Sequence, residues 1–397
     1  MTGPLDGIRV LDVSRILSGP FCTMLLADMG AEVIKVERPG DGDPARILGP
    51  KVGEERAYFI SVNRGKKSIT LDISKQEGQR LFLDLIPHLD VLVENFVPGT
   101  MSRFGLDYQN LAEHNPRLVY ASISGFGQDG PSATRPALDI IVQAMGGIMS
   151  LTGEPGGPPI RPGASLGDST AGLFTALAIV SALWQRQTTG RGQYIDVSML
   201  DCQVTMMENA FSRYFATGEV PGPLGSRHPA AAPFQAFRAF DKYFVVALIT
   251  DDTNTWQRFC HAIERPDIGN DERFITNTNR VKHLDTLTEI LNSVFAKESA
   301  AHWLSVLTAA DIPCGPVNDI KAVTEDPQIR HRGMMTAIPH PSDGAWQVEN
   351  TPFRFSDAIT GPTGPSPKLG EHTRSVLEEI LGLSKPKMDS LKEKNII

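Results

Sequence analysis

Hydrophobic and polar positions follow two alternating rhythms along the first 130 residues. Residues 8–13 (IRVLDV) are a short β-branched run, the pattern of a buried strand. Pro20 then opens a helical stretch, FCTMLLADM, in a first-turn position that proline tolerates, and Gly30 closes it. AEVIKVE at 31–37 returns to a strand, completing one βαβ unit in about 30 residues. The rhythm repeats with SITLDI at 68–73, a helix over Gln76–Leu85, DVLVENF at 90–96 and RLVYASISGF at 117–126. Strands alternating with helices predict the α/β class, with a mainly parallel sheet covered on both faces. Ligands of such sheets sit beyond the carboxyl ends of the strands, so the loops 14–19, 95–99 and 125–131 are expected near the site.

Residues 136–216 read as strongly helical, interrupted by the glycine- and proline-rich stretch GEPGGPPIRPGASLGD. A second such stretch, GEVPGPLGSRHPAAAP at 218–233, reads as a linker into a smaller α+β unit over 234–320. That unit begins with the strand YFVVALI and continues with helices near 252–264, 283–296 and 299–309. The expected organisation is therefore a first domain over 1–217, a linker, the small domain, and a segment over 321–397 returning to the large domain, with a last helix around 373–382.

Composition narrows the class. The chain has 397 residues, enough for two or three domains, and 41% hydrophobic against 21% charged residues is ordinary for a soluble globular protein. A net charge of −8 provides no general attraction for nucleic acid or anionic lipid, so any bound anion must be met by local lysines and arginines. Cys22, Cys202, Cys260 and Cys314 lie far apart, which excludes a disulfide scaffold and a zinc knuckle and fits a reducing cytosol. The longest apolar run, 171–184, falls short of the roughly 20 residues of a membrane span and predicts a buried helix. The N-terminus carries neither a secretory nor a transit pattern. The expectation is a soluble cytoplasmic protein with no nucleic-acid or membrane partner.

Three features carry candidate chemistry. GFGQDG at 125–130 matches a dinucleotide fingerprint, but it follows a late strand and runs into Pro131 rather than opening a helix, so it reads as a glycine turn that a ligand approaches. Asp168, before the apolar run 171–184, reads either as an N-cap or as a carboxylate nucleophile in a glycine turn, its anion favoured by the helix N-terminus. Arg15, Arg38, Arg64, Lys66, Lys67 and Arg103 lie near predicted strand ends, as a solvated face or as partners of a polyanionic ligand. The histidines form no pattern of metal-ligand spacing, and no metal site is expected; His228 stands in the linker.

With these residues in view, the chain resembles the family III CoA-transferases of the CaiB/BaiF type. The stretches that carry the resemblance are PLDGIRVLDVSRILSGPFCTMLLADMGAEVIKVERPGDGD, SVNRGKKSITLDI, VLVENFVPGTMSRFGLDY, ASISGFGQDGP, RPGASLGDSTAGLF, TGRGQYIDVSMLD, IPCGPVN and LGEHT, from residue 4 to residue 373. The resemblance implies a Rossmann-like large domain built from both chain ends, a smaller domain between them, and a homodimer whose two chains pass through each other. It implies coenzyme A and acyl-CoA as substrate, with no tightly bound cofactor. Asp168 matches the family's nucleophile, which forms first an acyl anhydride and then an enzyme–CoA thioester, and Asp139 matches an acidic residue that organises the site. Ile16 and Leu17 match a loop whose backbone lies along CoA, Arg38 a basic residue at its adenine and phosphate end, and Leu71, Asn95, Phe96 and Arg103 further contacts.

Departures from the family pattern narrow the reaction. Leu17 replaces a glutamine of the formyl-CoA:oxalate enzyme, and that enzyme's run of glycines is not found, which argues against oxalate specificity. Leu138 stands where the racemase relatives have a histidine base. The stretch at 224–237 is similar to succinyl-CoA:dicarboxylate enzymes, which implies succinyl-CoA as donor and a small dicarboxylate as acceptor. Arg227 or His228 would then meet the distal carboxylate, or serve only as turn residues. The alternatives are a 2-methylacyl-CoA racemase of the same fold and a catalytically silent CoA-binding partner subunit.

Overall fold

The computed structural model describes residues 2–249, 251–340 and 344–397; residues 341–343, within the expected returning segment, lie outside it. The chain divides into two compact units. The first extends to Ile148, resumes over Arg161–Glu219 and again over Gln328–Ile397; the second comprises Met149–Ile160 and Val220–Pro327.

The first unit is built on a six-stranded sheet: β1 (Arg9–Asp12), β2 (Glu32–Glu37), β3 (Lys67–Thr70), β4 (Val91–Glu94), β5 (Val119–Ser124) and β6 (Tyr194–Ser198). Their order is β3-β2-β1-β4-β5-β6 and every neighbouring pair is parallel, with Val10 opposite both Val33 and Val91. The pleat sends alternate residues to opposite faces. Val10, Val33, Val91, Val119 and Ala121 pack under α1 (Ser18–Asp28) and a long later helix. Leu11, Ile34, Ile69, Leu92 and Tyr120 pack on the other face under α2 (Gln76–Leu85) and two helices near the chain's end, Thr373–Leu381 and Lys385–Glu393. This is the strand order of the doubly wound dinucleotide fold, in which ligands bind where the order reverses, here beyond the carboxyl ends of β1 and β4.

Four details differ from the sequence reading; the first is that the helix expected to be the last, near 373–382, is followed by another over Lys385–Glu393. β6 lies inside the stretch expected to be helical; Tyr-Ile-Asp-Val-Ser has strand alternation, but over too few residues to stand out between two helices. The apolar run 171–184 is the middle of a longer helix. After α3 (Asp139–Met145), α4 runs over Leu166–Thr189, 24 residues, long and apolar enough by length and composition to cross a membrane. A stripe including Ala171, Thr175, Ile179 and Leu183 is buried, while Leu173, Leu177 and Trp184 are exposed. Finally, residues 149–160, expected within the large domain, group with the second unit, where Gly225 N–H donates to the Gly153 carbonyl at 2.8 Å.

The second unit holds an antiparallel sheet of β7 (Phe234–Arg238), β8 (Tyr243–Ala247) and β9 (Cys314–Pro316), with β8 in the middle. Helices Thr253–Ala262, Leu284–Phe295 and Ala300–Ala309 accompany it, around a core containing Phe237, Phe244, Trp256, Phe295 and Trp303.

Candidate active site

The site is assembled around the turn from β1 to α1. Asp12, the last residue of β1, is fully buried and accepts from the Ser14 N–H (3.0 Å) and hydroxyl, the Thr23 hydroxyl (2.6 Å) and Lys66 Nζ (2.9 Å). Burial alone would push the Asp12 carboxyl up; Lys66, Lys35 and the two hydroxyls overcome it and hold the group well below the usual carboxylate range. Lys35, equally buried, donates to the Ser14 carbonyl and pairs with Asp43, both at 2.9 Å. Glu37 takes a bidentate fork from Arg46, both bonds at 2.7 Å.

Three of the cations read either as a solvated face or as partners of a polyanionic ligand are instead committed to carboxylates. Lys66 is sequestered on Asp12; Arg64, buried, pairs with Asp28 at 2.9 Å and Glu349 at 3.0 Å; Lys67 pairs with Glu32 at 2.5 Å. A cation enclosed in protein requires such a carboxylate, because isolated charge is strongly disfavoured there.

Above this cluster a cleft of about 490 Å³ opens beyond the ends of β1, β2 and β3, with Phe96 and Thr100 from the loop after β4 on its wall, so it includes the switch point between β1 and β4. Arg38, Leu71 and Phe96, expected as CoA contacts, line it together with Arg15, whose guanidinium lies over the Phe96 ring at 4.7 Å. Asn95, also expected as a CoA contact, braces the turn: its Oδ1 accepts the Arg15 N–H at 2.8 Å and its Nδ2 donates to the Arg15 carbonyl at 2.8 Å and to Ser18 Oγ at 3.1 Å. Ile16 is exposed on the turn and Leu17 is half-buried at the start of α1. Arg103 is exposed and donates to the hydroxyl of Thr100, a residue of the cleft wall, at 3.2 Å.

Asp168 occupies the first turn of α4, and it is not the cap of that helix. The helix starts at Leu166, and Ser165 in the capping position makes no side-chain cap bond. Asp139 does the capping from the start of α3: its Oδ1 accepts the N–H groups of Gly167 (2.8 Å) and Asp168 (3.4 Å). Its Oδ2 is held by Gln143 at 2.7 Å and by Arg161 Nη2 at 2.8 Å. Gly167 makes this approach feasible, since a Cβ there would lie 2.6 Å from Val142 Cγ2 and 3.0 Å from Asp139 Oδ1.

Burial, with the Asp139 charge added, pushes the Asp168 carboxyl up to about 6, while bonds from the Ser18 hydroxyl and N–H and the Arg161 charge limit the rise. At neutral pH the group is thus an anion more basic than an ordinary carboxylate, half-buried and free of capping duty. Such an anion is suited to attack on an acyl carbon. Tyr58 belongs to the same field: burial and the charges of Asp168, Asp43 and Asp139 push its phenol up to about 12.

Arg227 and His228 lie in the second unit with local partners. Arg227 pairs with Asp285 at 2.9 Å; His228 Nδ1 accepts the Ala230 N–H at 3.1 Å, and its ring packs 4.8 Å from that of Phe234. GFGQDG is the turn leaving β5, where the Gln128 N–H donates to Asp196 of β6 at 3.0 Å. Ser18, Asp43, Tyr58, Gln143 and Arg161 were not singled out from the sequence. Two of them stand in conspicuous short stretches, Asp43 in PGDGD and Arg161 in RPGASLGD, but no spacing rule links them to partners 27 and 22 residues away.

Comparison with known proteins places the whole chain in one family. The model of CoA-transferase family III matches residues 5–373. The chain is 42% identical over 380 residues to the acetyl-CoA:oxalate CoA-transferase of Acetobacter aceti, covering 95% of this chain and 96% of that one. It is 40% identical over 379 residues to the succinyl-CoA:glutarate CoA-transferase of Mus musculus, covering 95% and 86%. A crystal structure of a CaiB/BaiF family protein from Brucella suis superposes with a TM-score of 0.86 at 39% identity, over 96% of this chain and all of that one.

Proposed function

The chain belongs to CoA-transferase family III and is a CoA-transferase, and from that premise we propose that it moves CoA from succinyl-CoA to a small dicarboxylic acid with Asp168 as covalent nucleophile. The observation that carries the proposal is the Asp168 carboxyl, pushed up to about 6 and relieved of helix capping by Asp139. Its oxygen attacks the thioester carbonyl, the C–S bond breaks, and CoA thiolate leaves from an aspartyl–succinyl anhydride. The thiolate attacks the aspartyl carbonyl, the anhydride C–O bond breaks, and succinate departs from an enzyme–CoA thioester. An acceptor carboxylate displaces the thiolate in turn, and the thiolate takes the acceptor's acyl carbon, restoring the Asp168 carboxylate. Each step exchanges one activated acyl bond for another, so no ATP is consumed. Both intermediates hydrolyse, which makes exclusion of water from this half-buried group part of its function.

The cleft beyond β1 and β4 suits the CoA moiety, with Leu71 and Phe96 as apolar wall and Arg38 and Arg103 for its phosphates. A dicarboxylate acceptor is supported by relatives named for oxalate and for glutarate; Arg227 or His228 is assigned to the distal carboxylate. Their near-equal similarity leaves oxalate in the acceptor panel beside longer diacids. The exposed apolar residues Leu138, just before α3, Ile140 and Met145 on α3, and Leu173, Leu177 and Trp184 on α4 are assigned to a second copy of the chain, in the interlocked homodimer. Sedimentation at twice the monomer mass, lost in a Leu177→Asp/Trp184→Asp variant, is the expected behaviour.

The test is an ATP-free reaction of succinyl-CoA with glutarate, malate, citramalate, itaconate and oxalate, read by mass spectrometry of new acyl-CoA species. Formation of a new thioester, with CoA trapped on the peptide containing Asp168, is expected. Transfer at normal rate by Asp168→Ala would overturn the nucleophile, and isotope exchange at an α-carbon without transfer would overturn the reaction class.

A further inference from the structure

The turn between β1 and α1 contains a residue in a conformation that its side chain disfavours. Ile16 has φ of 69°, in the left-handed region, where a β-branched side chain is an outlier. Such backbone persists only where the surroundings over-determine it. Asn95 braces the neighbouring Arg15, and one side chain grips Ile16 itself. The Ile16 N–H donates to both carboxylate oxygens of Asp43, at 3.0 and 3.3 Å.

Asp43 is buried and rigidly held. Its Oδ2 pairs with Lys35 Nζ at 2.9 Å, its Oδ1 accepts the Ala45 N–H at 2.9 Å, and its own N–H donates to Glu37 Oε2 at 3.0 Å. Lys35 also donates to the Ser14 carbonyl, so one buried ion pair grips the turn at residues 14 and 16 together. The gripped turn serves both halves of the site. Ser14 and Arg15 line the cleft, and Ser18, the first residue of α1, is among the groups that hold the Asp168 carboxyl down against burial.

We infer that Asp43, backed by Lys35, is a positioning residue that holds Ile16 left-handed, so that the turn presents its backbone to acyl-CoA and Ser18 to Asp168. The identity of the ligand rests on the functional reading above; the latch on Ile16 does not. A carboxylate needed only to cap the short turn Pro44–Ile47 would be indifferent to the residue at position 16. A latch is not indifferent, because glycine adopts positive φ without steric cost and needs no holding.

The experiment is a double-mutant cycle: Asp43→Ala made in the natural background and in an Ile16→Gly background, with kcat and KM for succinyl-CoA and amide exchange of segment 13–19 read by mass spectrometry. In the natural background Asp43→Ala is expected to raise KM about 30-fold with a smaller fall in kcat, and in the glycine background no more than about 5-fold. Exchange at 14–18 should accelerate at least about tenfold in Asp43→Ala while β4 stays protected. Asp43→Asn, which keeps an oxygen for the Ile16 N–H, should fall between, and it carries the same cycle if the alanine variant fails to fold. Equal rises in KM in both backgrounds, or unchanged exchange at 14–18, would overturn the latch. If the unmutated protein does not use succinyl-CoA while the exchange still responds to Asp43 and to residue 16, the substrate assignment falls and the latch is supported.

Discussion

Two groups of carboxylates meet at the same turn of the first unit and behave in opposite ways. Asp12 is enclosed by Lys66, Lys35, Ser14 and Thr23 and is held well below the ordinary carboxylate range. Asp168 meets a second carboxylate, Asp139, and receives Ser18 and the charge of Arg161, whose guanidinium is bonded to Asp139; it is pushed up to about 6. Asp12 is fully buried and Asp168 half-buried, so burial alone would raise Asp12 at least as much and cannot explain why Asp168 is the higher of the two. What separates them is the balance of cations against like charge. The first arrangement fixes a backbone turn; the second leaves a basic, incompletely neutralised oxygen where chemistry is proposed.

The sharpest way to break this contrast is to neutralise the second carboxylate. Asp168→Asn keeps size and most hydrogen bonds but removes the nucleophile, and transfer should fall by about 10⁴-fold or more while CoA binding, by calorimetry, changes little. Residual transfer within tenfold of the unmutated enzyme would place the reactive group elsewhere. Neutralising the first site should instead damage the fold. Lys66→Met leaves Asp12 buried with one ammonium fewer, and breaking such a pair from one side should cost about 3–5 kcal/mol in denaturant unfolding. A loss below about 1 kcal/mol, typical of exposed pairs, would show that the cluster is wetter than its geometry indicates.

The contrast was only half legible in the sequence. The first five strands and α2 could be read because β-branched runs and helical spacing are local signals bounded by glycine and proline. Asp168 was legible as a carboxylate at the start of an apolar helix. That the cap is Asp139, 29 residues earlier, was not, because capping by a residue from another helix has no local pattern. Arg64 and Lys66 look like surface cations in the sequence; their carboxylates, Asp28 and Asp12, are 36 and 54 residues away, and only the folded sheet brings them together. β6 was hidden by its length, and the role of Asp43 by the fact that it reaches the turn through a backbone N–H, which any residue could supply.

A smaller intervention sharpens the comparison without destroying either site. Asp139→Asn keeps an oxygen for the Gly167 N–H while removing the like charge beside Asp168. The Asp168 carboxyl should then fall back toward the ordinary range. Because the anion is the reactive form, kcat/KM of the unmutated enzyme should decline as pH drops through about 6, and the variant's decline should move to lower pH by about one pH unit. A less basic anion is also a weaker nucleophile, so the plateau rate should drop about tenfold. An acid limb that stays near 6 in the variant would mean that burial alone sets the basicity of Asp168.

The smallest effect is on stability, and its sign follows from linkage. Asp168 in the folded chain binds its proton more tightly than an unfolded aspartate, about 6 against 3.8. Between those two values the folded state holds more protons than the unfolded one, so this group makes the protein less stable as pH rises from about 4 to about 6. Above that window the penalty is complete; below it the group is neutral in both states and the penalty vanishes. Asp168→Asn is free of it at every pH. The variant should therefore gain about 1–2 kcal/mol over the unmutated enzyme at pH 8, after allowance for the partial exposure of the group, and lose that gain at pH 4. Denaturant unfolding of both proteins across this range isolates the titration from any hydrogen bond that asparagine makes less well, because only the titration depends on pH. The opposite sign, a variant less stable at pH 8 than at pH 4 relative to the unmutated chain, would mean that Asp168 is neutralised by its surroundings as Asp12 is, and the distinction between the two carboxylate groups would disappear.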